Sequence, residues 1–255
     1  MSNAKDERIP EMQLEGGYSA TKEYASGVIL AALYAVSALI PISAFLGSTG
    51  PLAQLSLTIC VAPLFGILLG PTQGFVFGLI AGVITAFLPG ISLIVPTVIL
   101  GPAMSGLLTG LCLQPKTKFG SYNIPGPLVT ALYLGIIIIL YLIPNYEAWW
   151  FMAYYALALI GALALQKFST PFDLSIIGLS GFLQLFPLTL IGTITDFSMM
   201  TMGAVYILQI PAEVFGFAIF PAMLAERTVA IIVAAISAAI IIRAFPDINW
   251  AIRTK

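Results

Sequence analysis

An all-α fold, a polytopic transmembrane helical bundle of about eight membrane segments, some broken or re-entrant, is predicted by three observations. No charged residue stands between Glu23 and Lys116. Of 255 residues, 60% are hydrophobic and 8% charged, against about 25% charged in a soluble domain. The apolar residues come in continuous runs such as Gly135–Ile143, not in the alternation of a transmembrane β-barrel. Each charge placed at the centre of a bilayer costs about 3 kcal/mol, so a charge-free stretch of this length reads as successive passes through lipid. The expected location is a cell membrane, crossed several times.

Residues 1–24 form a polar N-terminal tail, and Gly16-Gly17 makes a flexible break within it. A basic start followed by an early apolar core, as in a cleavable signal peptide, is missing. Residues 25–245 form the transmembrane domain, and 246–255 a short C-terminal tail. A spanning helix needs roughly 20 apolar residues. Apolar segments fall at 25–45, 54–70, 72–89, 91–113, 126–144, 147–166, 174–195, 203–224 and 227–245. These consume the chain and leave no second, soluble domain. Pro41, Pro63, Pro96, Pro102, Pro187, Pro211 and Pro221 lie in or beside these runs. Each removes an amide donor and bends or ends its helix, so some segments are broken.

Orientation follows lysine and arginine. Lys5, Arg8 and Lys22 precede the first segment, Lys116 and Lys118 follow the fourth, Lys167 the sixth and Arg227 the eighth. Single crossings put these loops on one side, expected to be cytoplasmic together with the N-terminus. Arg243, Arg253 and Lys255 join them only if the number of crossings is even. The Gly47–Gln54 loop then faces outside.

Several function classes are excluded at this level. Ten basic residues spread thinly offer no track for nucleic acid. Histidine is absent, which removes histidine-based zinc sites and histidine-dependent triads. Cys60 and Cys112 lie in apolar runs and read as packing residues rather than a metal or disulfide pair. No phosphate-binding loop and no nucleophile–base pair is present. A non-enzymatic protein without cofactor or bound metal is expected, with membrane lipid as its first partner.

Gly66, Gly70, Gly74, Gly78 and Gly82 recur every four residues, with Gly106 and Gly110 repeating the spacing. Small residues on one stripe let helix backbones approach closely. Ala31 and Ala35 make a similar stripe in Val28–Val36. A turn-rich loop, Gly47–Pro51, comes next, then Ala62–Pro71 and the glycine-striped Gly74–Phe87. That succession, over about residues 25–113, resembles the substrate-binding S components of energy-coupling factor transporters. The resemblance implies capture of a vitamin or other micronutrient, a small-molecule substrate, from outside the cell. It also implies a membrane coupling subunit driven by cytoplasmic ATPases. By the same resemblance, Ala31 and Ala35 are partner contacts and Gly47–Gln54 gates the pocket. Family members have six spans, and this chain has more, the pair 126–166 reading as an added hairpin.

Polar residues within the apolar runs are the candidate substrate contacts. Glu213 follows Pro211 in an apolar stretch, where a carboxylate must line a polar cavity or pair with Arg227 or Arg243. Asp196 falls near the expected outer end of its segment, as a solute contact or a solvated carboxylate. Gln184 and Gln209 can bond a ligand or a neighbouring helix. Glu147-Ala148-Trp149-Trp150 reads as an aromatic belt at headgroup level, and Glu226-Arg227 as a solvated helix boundary. A non-catalytic subunit of a larger membrane complex and a self-sufficient transporter or channel are the other two classes compatible with these residues.

Overall fold

A computed structural model describes residues 15–40, 56–88, 96–114, 117–119, 122–167, 179–245, 248 and 250–253. The order of elements is α1 (Glu15–Ala38), α2 (Thr58–Ala86), a 3-10 turn (Pro96–Leu100) leading into α3 (Gly101–Cys112), and a small hairpin of β1 (Thr117–Phe119) and β2 (Tyr122–Ile124). Then come α4 (Gly126–Asn145), a 3-10 turn (Tyr146–Met152), α5 (Ala153–Lys167), α6 (Leu179–Tyr206), a π-helical stretch (Val214–Ile219) that runs into α7 (Phe220–Ala244), and a last turn (Ala251–Arg253). The hairpin pairs Thr117 with Ile124 and Phe119 with Tyr122, a β element that the all-α reading did not contain.

Four stretches are long and apolar enough to cross a membrane: Thr58–Ala86, Gly126–Lys167, Gly181–Tyr206 and Val214–Ala244. Two of them double back. In α2, Gly70 has φ 79° and ψ −175°, a backbone region essentially reserved for glycine. The chain reverses there, and a Cβ on Gly74 would lie 2.8 Å from the Phe65 carbonyl oxygen. Both arms pack on α3, since added Cβ atoms on Gly66 and Gly74 would each meet the Gly106 carbonyl. The arms hold twelve and sixteen residues, roughly 18 and 24 Å at about 1.5 Å per residue. They correspond to the separate apolar segments 54–70 and 72–89 of the sequence. Gly70→Ala is expected to cost about 1–3 kcal/mol, read as a lower melting temperature in detergent.

The glycine stripe is a helix-packing device inside the chain. Gly78 faces the Pro102 carbonyl at 2.5 Å from an added Cβ, Gly82 faces Ile99, and Gly110 faces Pro71. With hydrogen in place of a side chain, α2 and α3 meet backbone to backbone. Gly70 differs from the other four, because its role is the reversal itself.

The chain places alternate element ends together. At one end, Gln73 Nε2 donates to Glu23 Oε2 at 3.1 Å, Gly70 packs near Ala251, and Gly126 packs on Leu111. At the other, Leu57 N donates to the Ile40 carbonyl, Trp150 Nε1 donates to the Gly216 carbonyl at 3.3 Å, and the Tyr206 hydroxyl donates to the Leu140 carbonyl at 2.6 Å. Helices α1, α4, α6 and the second arm of α2 therefore run toward this second end. The first arm of α2, α3, α5 and α7 run back.

One segmentation is corrected. Segments 203–224 and 227–245 are not separate passes: α6 continues to Tyr206, and Val214–Ala244 is one helical run. Glu226-Arg227 interrupts its hydropathy without interrupting its backbone. Among the described residues, the end of α7 returns to the end where α1 begins. Lys22, Lys118, Lys167 and Arg243 all belong to that end.

The outer faces are apolar. Val28, Ile29, Leu33 and Val36 of α1, Leu132, Ile136, Ile139 and Ile143 of α4, and Val229, Ile232, Ile236 and Ile240 of α7 are exposed. In water so large an apolar surface would be an aggregation liability; in lipid it is the solvated surface. The least apolar of the four stretches, Gly181–Tyr206, is the most enclosed, with 78% of its most apolar part buried against 39–44% for the others. Polarity is thus turned inward. The hydroxyls of Thr189, Thr193 and Thr195 each donate to the carbonyl four residues earlier, which lets a polar helix sit in an apolar bundle.

Candidate functional site

Within this core, α6 and α7 pair Asp196 with Arg227 near the middle of their runs, and Glu226, next to Arg227 in the chain, lies within its electrostatic reach. Arg227 is 1% exposed and Glu226 3%, so the reading of this pair as a solvated turn is overturned. Both lie inside the helical run Val214–Ala244. Arg227 Nη1 stands 3.7 Å from Asp196 Oδ2 and donates to the Thr193 carbonyl at 3.2 Å. Its guanidinium carbon sits 4.3 Å from the centre of the Phe197 ring, a desolvated cation–π contact worth about 2 kcal/mol. Asp196 thus lies inside the bundle rather than at its outer rim, and its carboxylate answers a cation that the sequence placed elsewhere.

The surroundings are polar and close. A Cβ on Gly101 would lie 2.6 Å from Asp196 Oδ1, so α3 seals one side of the carboxylate. Tyr34 of α1 lies within electrostatic reach of Asp196 and Arg227 and hydrogen-bonds Thr58 at the start of α2. Along α6 the hydroxyls of Ser198 and Tyr133 meet at 2.6 Å, and those of Thr201 and Tyr155 at 2.7 Å.

Several buried atoms here have no partner. Glu226 Oε2, Arg227 Nε, Ser105 Oγ and Thr109 Oγ1 make no hydrogen bond. A guanidinium carries five donors, and an unmade bond to a buried polar group costs about 1–3 kcal/mol. A carboxylate and a guanidinium left short of partners at this depth mark a place where something else supplies them.

The other sequence candidates are dispersed. Glu213 and Gln209 are exposed and line one pocket of about 550 Å³ at the end of the bundle where α4 and α6 terminate. Glu213 is therefore not mid-membrane and does not take Arg227 as its partner, because α6 extends far enough to lift residues 207–213 to the bundle's end. Glu226 follows Glu213 by thirteen residues, roughly 20 Å along a helix. The pocket and the buried cluster are thus two places. Gln184 lies near the opposite end, at the start of α6, with its Oε1 buried and unpartnered. It joins neither.

Ala31 and Ala35 are 4% and 9% exposed. They pack into the chain's own core beside Leu30 and Tyr34, because α1 turns this face toward α2. A partner has no access to them while α1 keeps its seat; the open face of α1 carries Val28, Ile29, Ala32, Leu33 and Val36. The loop Gly47–Gln54, expected from the resemblance to gate a pocket, lies outside the described residues.

Sequence reasoning missed Arg227, Glu226, Tyr34 and Thr58. The signal for the first two was present: between Glu213 and Arg243 they are the only charges, centred in a run long enough to span. No family model, curated protein or solved structure matches the chain.

Proposed function

We propose that this chain is a membrane-embedded substrate-binding subunit that captures a small polar solute and passes it across the membrane with an ATPase-driven partner. The observation that supports this reading most is the under-satisfied cluster of Asp196, Glu226 and Arg227 at mid-depth. Ionisable groups there are expensive, so they are kept where they meet a solute or an ion. A cluster of two carboxylates and one guanidinium suits a solute with both an amino or hydroxyl group and an acidic one. The resemblance of residues 25–113 to S components supplies the energised partner.

Orientation belongs to the same proposal. About eight passes, with the lysine- and arginine-bearing end in the cytoplasm, satisfy the positive-inside rule and leave Glu147 and Glu213 outside. Single cysteines at Lys118 and Glu147, tested in intact cells with a membrane-impermeant thiol reagent, check it. Labelling at 147 alone is expected; labelling at 118 alone would invert the topology.

Affinity purification from native membranes tests the function. ATP-hydrolysing subunits that stay with the chain support the proposal. Solute uptake by the purified chain alone in liposomes would assign it instead to the self-sufficient transporters, with Glu226 as the group that couples an ion. A stable complex with neither solute nor ATPase would make it a structural subunit.

A further inference from the structure

The charges within the bundle do not cancel. The sequence places no charge between Glu23 and Lys116, and between Lys167 and Arg243 its only base is Arg227. Lys22, Lys167 and Arg243 belong to the end where α1 begins. Arg243 is sixteen residues from Arg227, roughly 24 Å along a helix. At mid-depth, Asp196 and Glu226 therefore face a single cation, and one negative charge is left over.

The surplus falls on Glu226. Arg227 is already engaged by Asp196, the Thr193 carbonyl and the Phe197 ring. Glu226 is 3% exposed, and its Oε2 has no hydrogen bond. Among the described residues the one ion pair is Asp196–Arg227. An uncompensated carboxylate at this depth is costly and calls for a positive charge from outside the chain.

A second set of atoms narrows what brings that charge. Arg227 Nε, which can only donate, is buried without an acceptor. Ser105 Oγ and Thr109 Oγ1 are fully buried and equally unpartnered. With Gly101 they form a stripe of every fourth residue on α3, and that stripe meets α6. A Cβ on Gly101 would lie 2.6 Å from Asp196 Oδ1, and one on Gly192 would lie 2.8 Å from Thr109 Oγ1. A proton or a sodium ion on Glu226 would cancel the charge and leave Arg227 Nε without an acceptor. A metal of higher charge lacks ligands, since no three acids or cysteines come together among the described residues. An organic cation that also carries an acceptor answers both groups.

We propose that the solute of this cluster is an organic cation whose amino groups outnumber its acidic groups by one. An ammonium group meets Glu226, and an oxygen acceptor meets Arg227 Nε. The hydroxyls of Ser105 and Thr109 serve the polar remainder of the molecule. The inference rests on the reading of this cluster as the solute site and narrows the substrate to one charge class.

Wild-type and Glu226→Gln proteins are purified gently from native membranes in an amine-free phosphate buffer. The water-soluble molecules released on denaturation are separated by capillary electrophoresis at neutral pH with mass detection. One species is expected to be at least tenfold enriched in wild type and to run toward the cathode as a single positive charge. Its charge is read on wild-type protein, so the test stands even where the variant does not fold. A neutral or anionic species in its place would overturn the charge assignment and leave the solute site standing. No species distinguishing wild type from a folded Glu226→Gln protein would overturn the site itself, and this inference with it.

Discussion

Arg227→Met is expected to cost the bundle about 3–5 kcal/mol, the loss seen when one partner of a buried pair is removed. The guanidinium is 1% exposed and is the partner of Asp196 in the only ion pair among the described residues. Its loss leaves the Asp196 carboxylate, largely buried against Gly101, without a counter-charge. It also frees the Thr193 carbonyl and removes the cation over Phe197. Thermal unfolding in detergent measures the effect. Asp196→Leu combined with Arg227→Met is expected to recover most of the stability, because removing both charges removes both desolvation costs. The double variant should still fail to bind solute, and that split separates a structural pair from a functional one. Arg227→Lys should recover only part, since an ammonium does not replace the planar cation that lies over Phe197.

The second large effect lies in the glycine stripe. Gly106→Ala places a Cβ against the Gly74 backbone, inside contact distance of its carbonyl oxygen and carbon. Backbone atoms cannot swing aside, so α2 and α3 must separate along their whole interface. Overpacking of this kind costs about 1–3 kcal/mol per site, and Gly78→Ala together with Gly106→Ala should approach the sum. The matched control is Gly135→Ala, whose nearest neighbour is Leu159 Cδ1 at 3.7 Å. With room available and a helical backbone, it is expected to stabilise by about 0.5–1 kcal/mol. Equal melting temperatures for Gly106→Ala and Gly135→Ala would contradict the packing account.

The stripe shows how much of this fold was legible. A repeat of four residues is local information, and it places glycines on one helix face wherever the partner helix comes from. The break at Gly70-Pro71 was legible, because apolar segments 54–70 and 72–89 end and begin there, but the positive φ of Gly70 that makes the reversal was not. The passes beyond residue 200 were harder. Hydropathy dips at Glu226-Arg227, and a dip looks the same whether the charges face water at a turn or each other inside a helix. Only the contact with Asp196, thirty-one residues away, distinguishes them. Asp196 was legible as a polar residue in an apolar run, while its counter-ion was not. Ala31 and Ala35 illustrate the converse: their spacing marks a helix-packing face without saying whether the other helix belongs to this chain.

The buried cluster is the centre of the account, and it is tested most directly by mass spectrometry of small molecules released from gently purified protein. Wild-type protein is expected to carry a polar solute at near-stoichiometric amount. The Glu226→Gln variant, which keeps the shape of the side chain and the Asp196–Arg227 pair, is expected to lose it while unfolding at a similar temperature. The same solute retained in full by a folded Glu226→Gln protein would contradict the assignment of this cluster as the binding site.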